Sequence, residues 1–306
     1  MGKLENHLFG YDYLSPLAPG ESYGTNIKAK RKLTGSQWAG KISRALPIHL
    51  ENFSERGAPY VRTVDFRDLD DRATLGFRLA GLAGLKTLKT RIVHHRQISG
   101  LDFASIPHDK VSQNVFLSEF KGQSLTDYLK TNGFASFESS DIANKDEAIK
   151  SFVFNLWIGN YDNKDRDYLV DENKNLISID YHGSGPGFVS NPDLALGAWG
   201  EAFDIKDPND TGWCIGSGGL LEYLKNSREK KEIFAQQIEA ISRLTPAQIK
   251  KAMRGLNFYN QGTNQNINPQ YLQFLLNRKL KLKVAIDQWY DAGCPLAHLP
   301  KENGIV

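Results

Sequence analysis

The sequence predicts an α+β protein in which a small antiparallel sheet with one helix is followed by a larger, mainly helical part. Two observations carry that expectation. Residues 20 to about 120 hold short strand-like runs separated by Gly and polar turns, whereas the second half carries apolar residues at helical spacing with recognisable caps. Neither an internal repeat nor a low-complexity tract interrupts either part. The expected boundary gives an amino-terminal lobe of residues 1–120 and a carboxy-terminal lobe of residues 121–306.

Each element has its own warrant. "SYGTNIKAKRKL", the turn "TGS" and "QWAGKISRAL" read as a hairpin over a Gly-containing turn. "DLDDRATLGFRLAGLAGLK" sets carboxylates ahead of Leu75, Leu79, Leu82 and Leu85, which predicts a helix whose acidic first turn suits the positive end of its dipole. "TRIVHHRQI" and "NVFLSEF" read as further strands, the second running through a Gly turn into the helix start "KGQSLTDYL". "DEAIKSFVFNLWIG" has helical spacing and stops at Gly159; "RDYLV" and "NLISID" are short strands joined by the polar turn "DENKN". After the Gly/Pro loop "YHGSGPGFVSNPD" come the helices "KKEIFAQQIEAIS", "TPAQIKKAMRGL" (Thr245 as N-cap, Pro246 at the first helical position) and "NPQYLQFLLNRKLKLKVAIDQWY".

Composition narrows the class of function. The chain has 306 residues, 40% of them hydrophobic, so it can bury a sizeable core. A net charge of +3, with both signs scattered along the chain, is too mild to predict a nucleic-acid partner or a membrane surface. Cys214 and Cys294 stand far apart without metal-ligand spacing, and two reduced thiols in a cytoplasm fit them best. No run is apolar enough for a transmembrane segment, and "MGKLENHLFGYDYL" lacks a signal-peptide core. The expected location is the cytoplasm, or a host cell reached through a specialised bacterial secretion system.

The densest signal is "IGNYDNKDRDYLVDENKNLISIDYHG", in which nine Asp, Glu, Lys or Arg side chains lie between or beside two short apolar strands. A solvated hairpin is the plain alternative. Asp162 and Asp167 lie five positions apart after a helix, and Asp180 ends the second strand, so a hairpin would gather these carboxylates at its mouth. Gathered carboxylates repel, and a bound cation relieves the repulsion. Phosphoryl transfer needs such metal ligands, a clamp on nucleotide phosphates and a carboxylate that orients the attacking hydroxyl. "PGESYGTNIKAK" offers glycines and small polar residues ahead of a strand, able to bring backbone N–H groups to phosphate. Lys41 takes an inward-facing position in "QWAGKIS" and is read as a phosphate contact, a snorkelling surface lysine being the alternative.

At these residues a resemblance enters. "GNYDNKDRDYLV" with "LISIDYHG" resembles the catalytic and metal-binding segment of the HipA-like and phosphatidylinositol 3-/4-kinase-like branch of the protein-kinase superfamily. "YGTNIKAKRKLTGSQWAGKIS" resembles the nucleotide loop, strand and lysine strand of HipA-like kinases, "RLAGLAGLKTLKTRIV" their next helix and strand, "NVFLSEFKGQSLTDYL" a gatekeeper, hinge and linker, and "YLQFLLNRKLKLKVAID" a carboxy-terminal helix. The resemblance covers roughly residues 20 to 290 and implies a two-lobed protein-kinase-like fold, with a nucleotide-binding first lobe and a catalytic second lobe. It implies ATP and Mg2+, or Mn2+, as cofactors. Asp162 would accept or orient the substrate hydroxyl, Asp167 and Asp180 would hold the metal, and Lys41 would contact the α- and β-phosphates. Ser22, Tyr23 and Gly24 would belong to the phosphate loop, and Glu119, Phe120 and Lys121 would form the adenine-binding hinge through backbone groups.

Two residues depart from the family pattern. Its metal-ligand Asn is Asp167 here, which leaves the choice between Mg2+ and Mn2+ open. The helix Glu that pairs with the strand lysine falls near Ala73, leaving Asp70, Asp71 or no partner for Lys41. The resemblance implies a serine/threonine kinase acting on protein; the alternatives are a phosphoinositide lipid kinase, a nucleotide-binding pseudokinase and transfer to another small alcohol. His94 and His95 read as surface or satisfied histidines, Phe152, Phe154 and Trp157 as core, and His182 as either an ordinary loop residue or a shaper of the metal loop; the resemblance implies a site of autophosphorylation at Ser22.

Overall fold

A computed structural model describes residues 11–16, 24–34, 36–43, 48–53, 59–64, 68–102, 114–119, 122–160, 167–186, 220–227, 230–259 and 265–291. Within these residues the chain is α+β. It divides into two units: Met1–Thr74, Leu88–Phe120 and Asn257–Ile267 form the first, and Leu75–Thr87, Lys121–Leu256 and Asn268–Val306 the second. A single cut after residue 120 would have left Leu75–Thr87 in the first unit and Asn257–Ile267 in the second.

In the first unit, β1 (Tyr11–Pro16), β2 (Gly24–Arg31) and β3 (Gln37–Ser43) are followed by a separate two-stranded sheet of β4 (Ile48–Phe53) and β5 (Pro59–Val64). After helix α1 (Leu69–Leu82), of which Leu69–Thr74 belong to this unit, come β6 (Thr90–His94), β7 (Ile98–Ser99) and β8 (Asn114–Glu119). The larger sheet has the order β6-β8-β3-β2-β1-β7 and is antiparallel except where β1 runs parallel to β7. The β2–β3 hairpin shows why it forms. Ala29 and Trp38 are buried while Lys30 and Gln37 are exposed, the alternation of a strand pair with one covered face. Its turn is closed by Arg31 N–H donating to Ser36 O at 2.9 Å and by Trp38 Nε1–H donating to Ser36 Oγ at 3.0 Å. Tyr11, Ala29, Trp38, Val93, Ile98, Val115 and Leu117 make one apolar cluster, with Tyr11 edge-on to Trp38. The start of α1 is held by buried charge: the Asp68 carboxylate takes Arg72 Nη2 at 3.0 Å and Tyr259 N–H at 2.9 Å. The Asp71 carboxylate accepts Asn257 N–H at 3.0 Å, so one carboxylate just before α1 and one in its first turn recruit the returning segment 257–267.

In the second unit, β9 (Gln123–Ser124) leads into α2 (Leu125–Thr131), capped by Ser124 Oγ accepting from Asp127 N–H. Then come α3 (Asp146–Ile158), β10 (Tyr168–Val170), β11 (Leu176–Ser178), α4 (Leu220–Asn226), α5 (Lys231–Ser242), α6 (Pro246–Ala252) and α7 (Asn268–Asp291). The three strands form a small antiparallel sheet in the order β11-β10-β9. Gly122 admits that pairing: its φ is +77°, and a Cβ there would lie 1.8 Å from Val170 O. α3 is the core of the unit, buried on nearly every side. Phe152, Phe154 and Trp157 are 1% exposed or less, as core residues should be. Trp157 Nε1–H donates to Leu275 O of α7 at 2.9 Å, and the buried Arg278 donates to Leu156 O through Nε at 3.0 Å and Nη2 at 2.6 Å. These bonds satisfy polar groups that burial would otherwise penalise by roughly 1–3 kcal/mol each.

The principal helices and hairpins expected from the sequence form close to where they were expected, with these differences. β1, the β4–β5 pair, β9 and α4 were not anticipated. "TRIVHHRQI" breaks into β6, a 3-10 turn over His95–Gln97 and β7, because His94 Nδ1 accepts Arg96 N–H and Gln97 Oε1 accepts His94 N–H. Leu82 is 44% exposed, and the buried Leu85 lies beyond the turn at Gly84, so of the four leucines only Leu75 and Leu79 face the core from α1. Among the described residues, no helix is long and apolar enough to cross a membrane.

Candidate functional site

The charged segment begins where α3 stops. Gly159 takes the left-handed conformation, φ 64°, which ends the helix as a C-cap. Asn160, fully buried, donates its Nδ2 to Asp180 O at 2.9 Å and to Asn155 Oδ1 at 3.3 Å. Gly185 N–H donates to Ile158 O at 2.9 Å. The exits of α3 and of β11 are thus bound together at their base. Gly185 has φ +97°, and a Cβ there would lie 2.2 Å from Tyr271 Oη, so the loop closes only with glycine.

β10 and β11 pair Tyr168 with Ser178, Leu169 with Ile177 and Val170 with Leu176. One step further out, Ile179 N–H donates to Asp167 O at 2.9 Å. The register therefore brings Asp167 and Asp180 to the same mouth of the hairpin, both half-buried. The Asp180 carboxylate accepts twice from His182 through one oxygen: its Oδ1 takes the backbone N–H at 3.1 Å and ring Nδ1–H at 2.7 Å. Side-chain exposure is 30% for Asp180 and 10% for His182. Between them Tyr181 is wholly buried, edge-on to Phe77 and Phe154 at 5.0 and 5.5 Å, and burial pushes its phenol pKa up. It anchors the strand exit in the core.

Carboxylate oxygens are the hard donors that Mg2+ or Mn2+ prefers, so Asp167 and Asp180 suit a divalent cation. Among the described residues, no group of three or more His, Cys, Asp or Glu side chains is arranged to hold a metal. Asp162, the third carboxylate expected here, lies outside the described residues.

The turn end of the same hairpin is built differently. Asp171 Oδ1 accepts Asn173 N–H at 2.9 Å, Asn175 N–H at 2.8 Å and Asn175 Nδ2 at 2.9 Å, while Oδ2 meets Lys86 Nζ at 2.9 Å. Burial raises the Asp171 pKa, but the Asn175 and Lys86 donors outweigh it and hold the carboxyl at about 2. Nearby Glu147, 5% exposed, accepts Lys86 N–H at 2.7 Å, and desolvation pushes its pKa up.

The remaining expected site residues fall elsewhere. Gly24, Lys41 and Glu119 belong to the first unit. Gly24 opens β2 opposite Ser43. Lys41 sits opposite Asn26 and Phe116 in the register, out of phase with the buried Trp38 and Gly40, and its side chain lies outside the described residues. Glu119 closes β8 opposite Trp38, its N–H donating to Lys89 O at 2.9 Å. Ser22, Tyr23, Phe120 and Lys121 lie outside the described residues. Ala73 is buried in α1 with no exposed surface. His94 and His95 stack at 4.4 Å beside the 3-10 turn, in keeping with local structural roles. The sequence reading passed over Asn160; an Asn directly after a C-cap Gly and five residues after Asn155 was the available signal. No protein-family model matches the chain, and no curated protein compared with it matches either.

Proposed function

We propose that the protein is an ATP- and divalent-metal-dependent kinase of two-lobed, protein-kinase-like architecture, and that its acceptor is a serine or threonine hydroxyl of another protein. The observation that carries this reading is the β10–β11 register, in which Asp167 and Asp180 share one mouth directly after the buried helix α3. Support also comes from the Gly24-to-Lys41 strand pair and from Glu119 at the end of β8, the order of parts that a nucleotide site of this kind requires.

In this reading Asp167 and Asp180 hold Mg2+ or Mn2+, Lys41 contacts the α- and β-phosphates, and backbone groups of Glu119 to Lys121 receive the adenine. The metal, when bound, neutralises charge on the transferring phosphoryl group. Asp162 orients the acceptor hydroxyl and takes its proton as the new P–O bond forms and the γ-phosphoryl bond to the β-phosphate oxygen breaks. Positioning and electrostatics supply nearly all the acceleration in such chemistry.

The test is transfer from γ-labelled ATP with Mg2+ or Mn2+, wild type beside Asp162→Ala, offered the protein itself, a cell lysate and phosphoinositide vesicles. Label on protein that vanishes with Asp162→Ala is the expected result, and label in lipid would move the acceptor class. Ala73, buried where the resembled kinases carry a glutamate, favours one second reading, a nucleotide-binding pseudokinase. That reading predicts ATP-dependent thermal stabilisation without any transfer.

A further inference from the structure

We infer that His182 is a positioning residue for a divalent cation, setting the Asp180 carboxylate in a metal-binding orientation through its Nδ1–H. This rests on the kinase reading, in which Asp180 is a metal ligand. Two donors of one residue converge on one oxygen, the His182 backbone N–H at 3.1 Å and the ring nitrogen at 2.7 Å. A carboxylate can only accept, so the ring proton sits on Nδ1. The backbone bond alone would make an ordinary Asx turn and would need no histidine. The imidazole adds a second donor to the same oxygen, which narrows the rotation of the carboxylate about its Cβ–Cγ bond.

The histidine is itself held. Its side chain is 10% exposed, it follows the wholly buried Tyr181, and the Asp180 carbonyl is pinned by the buried Asn160. A carboxylate oriented before a cation arrives loses less freedom on binding it, and partners of this kind are worth roughly 10–100-fold in metal affinity.

The experiment measures Mn2+ binding to the full chain, without nucleotide, by the loss of the free-ion electron paramagnetic resonance signal and by calorimetry. Wild type is compared with Asp180→Asn, His182→Ala, His182→Asn and His182→Gln, each checked by thermal unfolding. An asparagine amide can place an N–H where Nδ1 stood, whereas the glutamine amide reaches toward the Nε2 position. The expected result is loss of the site in Asp180→Asn, binding weakened roughly 10–100-fold in His182→Ala and His182→Gln, and affinity within a few-fold of wild type in His182→Asn. Equal binding by wild type and His182→Ala, or equal recovery with Gln and Asn, overturns the inference while leaving the metal reading standing. If His182→Ala fails to fold, the contrast between Asn and Gln decides alone. Mn2+ binding that is absent from wild type, or unchanged in Asp180→Asn, overturns the metal reading and the inference with it.

Discussion

The two ends of the β10–β11 hairpin both gather carboxylates, and they treat them in opposite ways. At the turn, Asp171 is 9% exposed and surrounded by donors from its own turn and from Lys86 on a separate segment. At the mouth, Asp180 keeps 30% of its side chain exposed, and the donor set on its Oδ1 comes from its own loop, from His182. One end draws a lysine from a distant segment; the other is held by the loop that follows it. Carboxylate density in a sequence is therefore a poor guide to function until the donors around each group are known.

The contrast can be broken by substitution. On the proposed kinase reading, Asp180→Ala should lower phosphoryl transfer about a thousandfold or more while moving the unfolding midpoint little, since a preorganised electrostatic group acts mainly on the transition state; steady-state kinetics beside calorimetry would check it. Asp171→Ala should do the reverse. Stranding Lys86 and the turn amides costs about 2–4 kcal/mol, read as a fall of several degrees in the midpoint, while activity per folded molecule is retained.

Acid sharpens the same comparison. The folded Asp171 pKa of about 2 lies below the ordinary 3.8, so its stabilisation is whole above about pH 4 and is lost as the pH falls toward 2. Denaturant titrations across that range should therefore show a decline in wild type that is shallower in Asp171→Asn. Glu147 has the opposite sign: its raised pKa makes its ionised form a growing cost as the pH climbs past 4.5. Glu147→Gln keeps an acceptor for Lys86 N–H, and its stability at neutral pH should stay within about 1 kcal/mol of wild type.

Much of the fold was legible because its signals are local. Thr245 caps α6 in a reciprocal box with Gln248, Pro246 opens it, and Gly159 ends α3, each interaction spanning a few residues. The β2–β3 and β10–β11 hairpins were legible for the same reason. β1 was not: it pairs with the nearby β2 through a register shift between Tyr13 and Ser15, which breaks the period of two, and its other partner β7 is more than eighty residues away. The recruitment of Asn257–Ile267 to Asp68 and Asp71 was equally hidden, since those acidic residues read only as a favourable first turn.

At the site, the sequence alone determined that Asp167 and Asp180 would flank a short hairpin, because two short apolar runs joined by a polar turn set the pairing within about a dozen positions. Tertiary structure alone decided what became of each carboxylate. Lys86 reaches Asp171 across 85 positions, and Asn160 reaches the Asp180 carbonyl across 20, only once α3 and the hairpin have packed together. Partners that distant in the chain leave no period to read, so which donors meet each carboxylate is settled by the fold.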